Sequence, residues 1–399
     1  MAWAIQDLTD HYTQGHWLGA PIMIVAAIGS ILAFHDEHGK GPWLILLAGV
    51  AAGVAEHVSR PAIAESDVLA QIVAASRLFW AGHDPYLVPA NEMVGGRYLY
   101  PPGPLLLYGA ALKLVGAHIP IEAVERAAGV LTVLVLAATA RWADPSRAAL
   151  VATLFGTYLF GAFRSLDGDS NTTLALVFIV GIALLMRAER DDRKGRSAYW
   201  LSIPVLALGV LLKQLAWPLY FFIAVHLWST SRGRRHVVAT LAIVVLAIVP
   251  FALDDPGAVA RMVLVVANKQ AIYGLNVLGA VQMIDPQLAR TLLPVTVFVQ
   301  LIGAVVVALL ILRTGSRDLP EAAGRAVVVM FVLMVFSSWT SPAYYTFMGT
   351  LVLFVIAVAG TRRSSERRGL SLADIVARVR WITASVSRGR RADVRSRGG

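Results

Sequence analysis

The chain has 399 residues, of which 57% are hydrophobic and 15% charged, with a formal net charge of +10. A mean hydropathy of +0.66 excludes a soluble domain of this length and indicates a membrane protein. The basic residues gather in short loops and in the C-terminal segment, as the positive-inside rule requires, so nucleic-acid binding is not expected. Without cysteine the chain has no disulfide framework and no thiolate for catalysis or metal binding.

Apolar segments close to the length that crosses a bilayer recur along the chain. They lie at about residues 17–34, 41–55, 103–115, 121–140, 148–162, 172–186, 198–212, 215–228, 237–253, 291–312, 326–336 and 343–359. Most tryptophans fall near segment ends, where their amphipathic rings prefer the headgroup layer. The expected fold is therefore an all-α polytopic membrane protein with roughly ten to twelve transmembrane helices.

Short basic loops between the later segments predict the orientation of the chain. Five Lys or Arg fall in residues 187–196, three in residues 232–235 and three in residues 313–325. The positive-inside rule places these loops on the cytoplasmic face of the plasma membrane. Residues 164–171, 254–290 and 337–342 are then expected on the extracytoplasmic side.

The first large polar loop, residues 56–101, is also expected outside, although three apolar segments separate it from residue 164. An odd number of crossings would place it inside, so we expect one segment, 148–162, to be re-entrant, short or interfacial. Residues 1–361 form one multi-span membrane catalytic domain, and residues 362–399 form a basic cytoplasmic tail. The tail is either disordered or rests on anionic lipid through Arg378, Arg380 and Trp381.

Within the first loop, residues 65–80 show helical periodicity. The apolar stripe consists of Val68, Ile72, Ala75 and Phe79. This pattern predicts an interfacial helix that lies flat at the membrane surface and ends near Gly82 and Pro85. Asp67 stands at the helix start, where a carboxylate either complements the helix dipole or carries chemistry at the boundary between lipid and water.

The sequence around this helix resembles a known family. The matching features are Asp67, a Gly-His-Asp-Pro-Tyr turn at 82–86, and Tyr100-Pro101-Pro102 at the entry to the next apolar segment. In these the chain is similar to the GT-C superfamily of polyprenyl-phosphate-sugar-dependent glycosyltransferases, and within it to glycosyltransferase family 87, which includes phosphatidylinositol-mannoside α-mannosyltransferases. Weaker matches are residues 166–171, Lys213 four residues before Trp217-Pro218, residues 268–276 and residues 341–345. The chain departs from the family at Gln71, where an aromatic residue is usual, and at residues 168–171, which replace a Gly-Gln-x-Asn-like turn.

The resemblance implies a GT-C-like helical bundle that transfers a sugar with inversion. The donor is a polyprenyl-phosphate-linked sugar, with mannose the first expectation and arabinofuranose the second, and the acceptor is a lipid-linked or cell-envelope glycan. Asp67 is then the general base, with Glu65 as the lower-ranked alternative two residues away. No metal and no cofactor are expected, and the partners are donor, acceptor and membrane lipids, without nucleic acid.

A departing phosphate needs cationic donors, because its charge grows as the glycosidic bond breaks. The candidate phosphate-binding residues are Lys213, Arg164, Lys269 and Arg261. Basic side chains at helix ends also snorkel toward headgroups, but Lys213 separates two apolar segments on the side that the positive-inside rule disfavours. The candidate substrate-binding residues are Gln71, Tyr86, Tyr98, Tyr100, Asp169, Asn171 and Tyr344. Each loop tyrosine has anchoring of the loop at the interface as its alternative role.

Two other classes of protein compete with the enzyme. A transporter or lipid flippase also needs charges near the bilayer, but typically shows internal repeats and charges buried within helices. A non-catalytic scaffold would leave the motif around Asp67 unexplained. The pattern therefore favours the glycosyltransferase.

Overall fold

The computed structural model describes residues 67–89, 91–93, 97–115, 122–143, 171–190, 195–263, 272–274, 276–313, 315–337, 339–340 and 342–358. All of these belong to the first of two compact units, Met1–Ala359, whereas the second unit, Gly360–Gly399, lies outside the described residues. The predicted spans at 17–34, 41–55 and 148–162 and the basic tail also lie outside them.

The described residues form twelve α-helices, one short 3₁₀-helix and one pair of two-residue strands. In chain order they are α1 (Asp67–Trp80), α2 (Gly103–Val115), α3 (Glu122–Ala143), α4 (Asn171–Arg190), α5 (Gly195–Leu212), the 3₁₀-helix (Gln214–Ala216), α6 (Trp217–Trp228), α7 (Ser231–Asp254), α8 (Pro256–Val263), β1 (Tyr273–Gly274), α9 (Val277–Ile284), α10 (Pro286–Arg313), α11 (Leu319–Val335), β2 (Trp339–Thr340) and α12 (Pro342–Val358).

Three of these helices, α4, α5 and α7, are long and apolar enough to cross a membrane. The bent helix α10, which contains Pro294, is a fourth if its two parts form one span. Several others are apolar but shorter than 18 residues, among them α6, α11 and α12. The predicted all-α polytopic membrane fold is confirmed.

The centre of the bundle is a close contact between α4 and α5. Gly209 on α5 lies against the ring of Phe178, and a Cβ there would come within 2.7 Å of a ring carbon. Gly181 on α4 accommodates Leu206 in the same way. Small residues let membrane helices approach closely, so that packing and not a hydrophobic driving force holds them together. The fully buried side chains Ile182, Phe347 and Phe354 extend this core to α12.

The loops between helices gather at two ends of the bundle. At the first end, which we call the basic end, the Tyr199 hydroxyl donates to the Arg232 carbonyl (2.8 Å) and His226 Nδ1 lies 3.0 Å from Ser316 Oγ. These contacts bring the three basic loops of the sequence to one end. Thr230 and Asp318 cap α7 and α11 there by accepting backbone N–H bonds.

At the opposite end, which we call the loop end, the remaining connections meet. The Gln214 amide donates to the carbonyls of Leu99 (2.6 Å) and Met262 (3.0 Å), and β1 pairs in parallel with β2, Tyr273 facing Trp339. The first polar loop and the loops expected outside therefore share one end of the bundle. Which side of the membrane this end faces stays a prediction.

The helices that follow the first loop begin at the loop end. The start of α2 lies there because Gly103 packs against the backbone of Leu211 and Leu212. The start of α3 lies at the same end, because Glu125 hydrogen-bonds Thr173 at the start of α4. The 13 residues of α2 span only about 20 Å of a roughly 30 Å hydrocarbon layer. These contacts make α2 a further candidate for an irregular segment, while the predicted irregularity at 148–162 lies outside the described residues and stays a prediction.

The predicted surface helix is α1, which begins at Asp67 and ends at Trp80. The chain turns at Gly82, whose φ of 88° lies in the left-handed region that glycine adopts without strain. Leu69, Ile72 and Ala75 are fully buried. The Trp80 indole N–H donates to the Leu105 carbonyl at 2.9 Å, which fixes α1 against α2.

Candidate active site

The site begins with the break between α5 and α6. Lys213 has an extended backbone (φ −159°, ψ 139°) between the last residue of α5 and the 3₁₀-helix. Pro218 in the first turn of α6 then restarts the helix, because proline is tolerated where its missing N–H has no partner to lose. This turn directs the Lys213 side chain into the protein, where only 3% of the residue remains exposed.

The Lys213 ammonium is held by an amide and two aromatic rings. Its Nζ donates to Asn171 Oδ1 at 2.9 Å and lies 4.9 Å from the ring centre of Tyr344 and 5.8 Å from that of Tyr100. A buried cation is tolerated only when polar or aromatic partners replace water. Three residues predicted for substrate binding and one predicted for phosphate binding therefore converge at the loop end.

Unsatisfied donors lie beside this cation at the start of α4. Asn171 is fully buried, and its Nδ2 has no hydrogen-bond partner among the described residues; neither has the buried Thr172 Oγ1. The first turn of a helix also carries a partial positive charge and unpaired backbone N–H groups. A cation, an amide and a helix start together form a setting that suits an anion.

A buried carboxylate supports the same helix start. Glu125 on α3 is 2% exposed and accepts hydrogen bonds from the Tyr108 hydroxyl, the Thr173 hydroxyl and the Thr173 backbone N–H (3.3 Å). Its negative charge and the Lys213 ammonium attract each other. Glu125 thereby fixes the start of α4, and with it the Asn171 amide that holds Lys213.

Sequence reasoning missed both Glu125 and Gln214. Glu125 carried a usable signal, because it is a single carboxylate near the start of an apolar segment, where ionisable residues are costly and usually functional. Gln214 carried no signal beyond its position next to Lys213. Its side chain joins the first polar loop to α8, and so closes the loop end over the cation.

The tyrosines of the first loop use their hydroxyls to hold the loop together. Tyr86 donates to the Tyr100 carbonyl (2.7 Å) and Tyr98 to the Pro101 carbonyl (3.1 Å). The two rings lie 5.2 Å apart and are 4% and 1% exposed. Burial raises the pKa of both phenols well above their usual range, so both remain neutral donors. Of the three, Tyr100 alone faces the Lys213 ammonium.

Gln71 lies in the second turn of α1 and is also buried. Its amide donates to the Arg97 carbonyl at 3.0 Å, which ties the helix to the strand-like segment before Tyr100. The position that departs from the resembled family is therefore occupied by a residue that supports the loop.

Arg261 and Asp255 form an ion pair at the start of α8. The Arg261 guanidinium is the main cause that holds the pKa of the Asp255 carboxyl below its usual range. Asp255 also accepts the Gly257 backbone N–H at 2.8 Å and so caps α8. The Arg261 guanidinium is thus engaged with a carboxylate.

Asp84 lies in the turn after α1, and its two carboxylate oxygens have different surroundings. One carboxylate oxygen accepts the Tyr86 backbone N–H at 2.8 Å, while the other is buried without a partner among the described residues. Burial raises the pKa of this carboxyl, the Tyr86 bond opposes the shift, and the charges of Asp254 and Asp255 add to it.

The structure fixes the backbone of Asp67 at the first position of α1, as predicted, while its side chain falls outside the described part. Glu65, Arg164, Asp169 and Lys269 also lie outside it. Within the described ranges, no group of three or more His, Asp or Glu side chains could hold a metal ion, and the expected absence of a metal stays a prediction.

A family of dolichyl-phosphate-mannose-protein mannosyltransferases matches residues 100–253 of this chain. This match supports a GT-C-type glycosyltransferase. The matched segment covers less than half of the chain but contains Tyr100, Glu125, Asn171 and Lys213. No curated protein and no solved structure matches the chain significantly.

Proposed function

We propose that this chain is an inverting glycosyltransferase that moves a sugar from a polyprenyl-phosphate donor to a lipid-linked or cell-envelope glycan acceptor. Within the GT-C superfamily we place it nearest glycosyltransferase family 87, with mannose as the first candidate sugar and arabinofuranose as the second. The observation that carries the proposal is the buried Lys213 ammonium, held by Asn171 between the rings of Tyr100 and Tyr344. We place this site on the extracytoplasmic face of the plasma membrane.

In the proposed reaction the acceptor hydroxyl attacks the anomeric carbon from the side opposite the phosphate. The new bond joins this carbon to the acceptor oxygen, and the bond from the carbon to the phosphate oxygen breaks. The hydroxyl proton passes to the Asp67 carboxylate, and the electron pair of the broken bond leaves with the polyprenyl phosphate. Lys213 stabilises the charge that grows on this phosphate. A single displacement of this kind inverts the anomeric configuration.

The other predicted residues take supporting roles in this proposal. Arg164, Lys269 and Asp169 remain candidates for contacts with the phosphate or the sugar. Arg261 ranks below Lys213, because its side chain is partly exposed whereas Lys213 is buried. Tyr86, Tyr98 and Gln71 position the loop, because their polar groups bond its backbone.

The test is a transfer assay with purified full-length protein and a panel of radiolabelled polyprenyl-phosphate sugars. Wild type is expected to consume one of them, polyprenyl-phosphate-mannose first. Asp67→Asn is expected to lose about 10²- to 10⁴-fold in rate. Glu65→Gln is the matched control, and full activity in Asp67→Asn with loss in Glu65→Gln would move the base to Glu65.

Lipid or glycan transport is the second candidate function, because Lys213 and Glu125 are ionisable groups buried in a helical membrane protein, as transporters also show. An assay with the same donor panel in liposomes distinguishes transport from sugar transfer. Movement of labelled lipid between leaflets without any sugar transfer would establish transport and reject the transferase.

A further inference from the structure

A second cation-bearing cavity lies between α1 and α2, and it shares no residue with the Lys213 site. It measures about 290 Å³ and is lined by Ser76, Arg77, Trp80, Ala81, Gly109, Leu112 and Lys113. Gly109 makes room for the Trp80 indole at the wall of this cavity, since a Cβ at this position would overlap the ring.

The cavity has two positive charges and no acidic lining residue. Lys113 Nζ lies 4.7 Å above the Trp80 ring, and the exposed Arg77 guanidinium belongs to the preceding turn of α1. Neither residue forms an ion pair with a described carboxylate. Two cations that line one cleft without a described carboxylate attract an anion, and guanidinium and ammonium groups both suit phosphate oxygens.

Hydrocarbon surface continues from the cleft along α2. Leu106 lies three and seven residues before Gly109 and Lys113, which places all three on one face of the helix. Leu106 is 41% exposed, and Leu114, next to Lys113, is 87% exposed. The rim is formed by Trp80, a residue type enriched at the depth of lipid headgroups.

We propose that this cleft binds the phosphate of an anionic membrane lipid. Arg77 and Lys113 contact the phosphate oxygens, and the lipid chains lie along the Leu106 face. The inference does not rest on the proposed function, since the cleft is separate from the residues proposed for sugar transfer.

The experiment measures binding by native mass spectrometry of the full chain in detergent, with phosphatidylglycerol, a polyprenyl phosphate and inorganic phosphate as separate probes. Arg77→Gln/Lys113→Gln is expected to weaken lipid binding about tenfold or more. The conservative exchange Arg77→Lys/Lys113→Arg, which keeps both charges, is expected to retain binding, and so is Arg234→Gln, an exposed control at the basic end.

Three outcomes would overturn the proposal. These are equal lipid binding by wild type and the double glutamine variant, equal loss in Arg234→Gln, and binding of inorganic phosphate as tight as that of the lipids. Preference for either lipid over inorganic phosphate supports the site and identifies which class of lipid supplies the phosphate. Binding is measured without turnover, so Asp67→Asn is expected to bind like wild type even if it transfers no sugar.

Discussion

The Lys213 ammonium donates to the Asn171 amide oxygen across 2.9 Å and so joins the end of α5 to the start of α4. The two residues are 42 positions apart in sequence, and each is buried. The close packing of α4 on α5 at Gly181 and Gly209 sets the alignment of the two helices and therefore this distance.

Replacement of this cation tests its proposed role toward the departing phosphate. Lys213→Met keeps the length of the side chain and removes the charge. We expect kcat/KM for the polyprenyl-phosphate sugar to fall about 10²- to 10³-fold, the cost typical of losing one electrostatic contact to a developing anion. Arg187→Met, an exposed site at the basic end, is the control and should keep full activity. A Lys213→Met protein that is folded and fully active would contradict the role.

Glu125 is expected to contribute to stability through its three hydrogen bonds. Glu125→Gln keeps the shape but turns an amide NH₂ toward either the two hydroxyls or the Thr173 backbone N–H, so that at least one of the three donors loses its acceptor. Each such loss costs about 1–3 kcal/mol, which thermal unfolding in detergent should report as a lower Tm. The matched control is Glu321→Gln, whose partly exposed pair with Arg325 should contribute little. Equal effects of the two substitutions would argue against the buried network.

Gln214 is expected to protect the backbone N–H groups of two distant segments from hydrogen exchange. Gln214→Leu removes the donor shared by the Leu99 and Met262 carbonyls, and each unpaired carbonyl costs about 1 kcal/mol or more. Hydrogen exchange should then accelerate in residues 97–100 and 258–263 together. Gln300→Leu, which removes a buried bond to the Leu333 carbonyl (2.9 Å), is the control and should leave both segments protected. Faster exchange in one segment only would contradict the shared link.

The turn at Asp84 predicts a pH dependence of a definite sign. Because the folded state raises the pKa of this acid above its ordinary 3.8, its stabilising contribution is present at pH values below 3.8 and is lost as the pH rises through the folded-state pKa. Asp84→Asn keeps an acceptor for the Tyr86 N–H and cannot ionise. We expect its Tm to exceed that of wild type at pH 7, and the difference to disappear on acidification below pH 3.8. A difference that is constant with pH would contradict the ionisation argument.

Local rules predicted the parts of the structure that depend on neighbouring residues. The start of α1 at Asp67 and its end before Gly82 follow from helix-boundary and turn chemistry over a few positions. The importance of Lys213 followed from its position between two apolar segments. Its partners are a different matter, because Asn171, Tyr100 and Tyr344 come from three separate connections that only the bundle brings together.

Sequence patterns could not predict the path of α2 or the role of Glu125, for related reasons. A 13-residue apolar segment has the same pattern whether it crosses the membrane or returns to the same side, and information on its path comes only from contacts such as that of Gly103 with Leu211 and Leu212. The partners of Glu125, Tyr108 and Thr173, lie 17 and 48 residues away. Hydrophobic periodicity contains no information about pairs at such separations.

The close contact between α4 and α5 also indicates which parts of this protein can be exchanged without displacing Lys213. Asn171 and Lys213 are positioned by two helices that touch at glycines, and the bond between them involves no residue of the range 67–89. Loop exchange is then a practical route to altered substrate choice. A chimera with residues 67–89 from another transferase should retain the buried lysine, whereas Gly209→Ala, which drives the helices apart, should lose it.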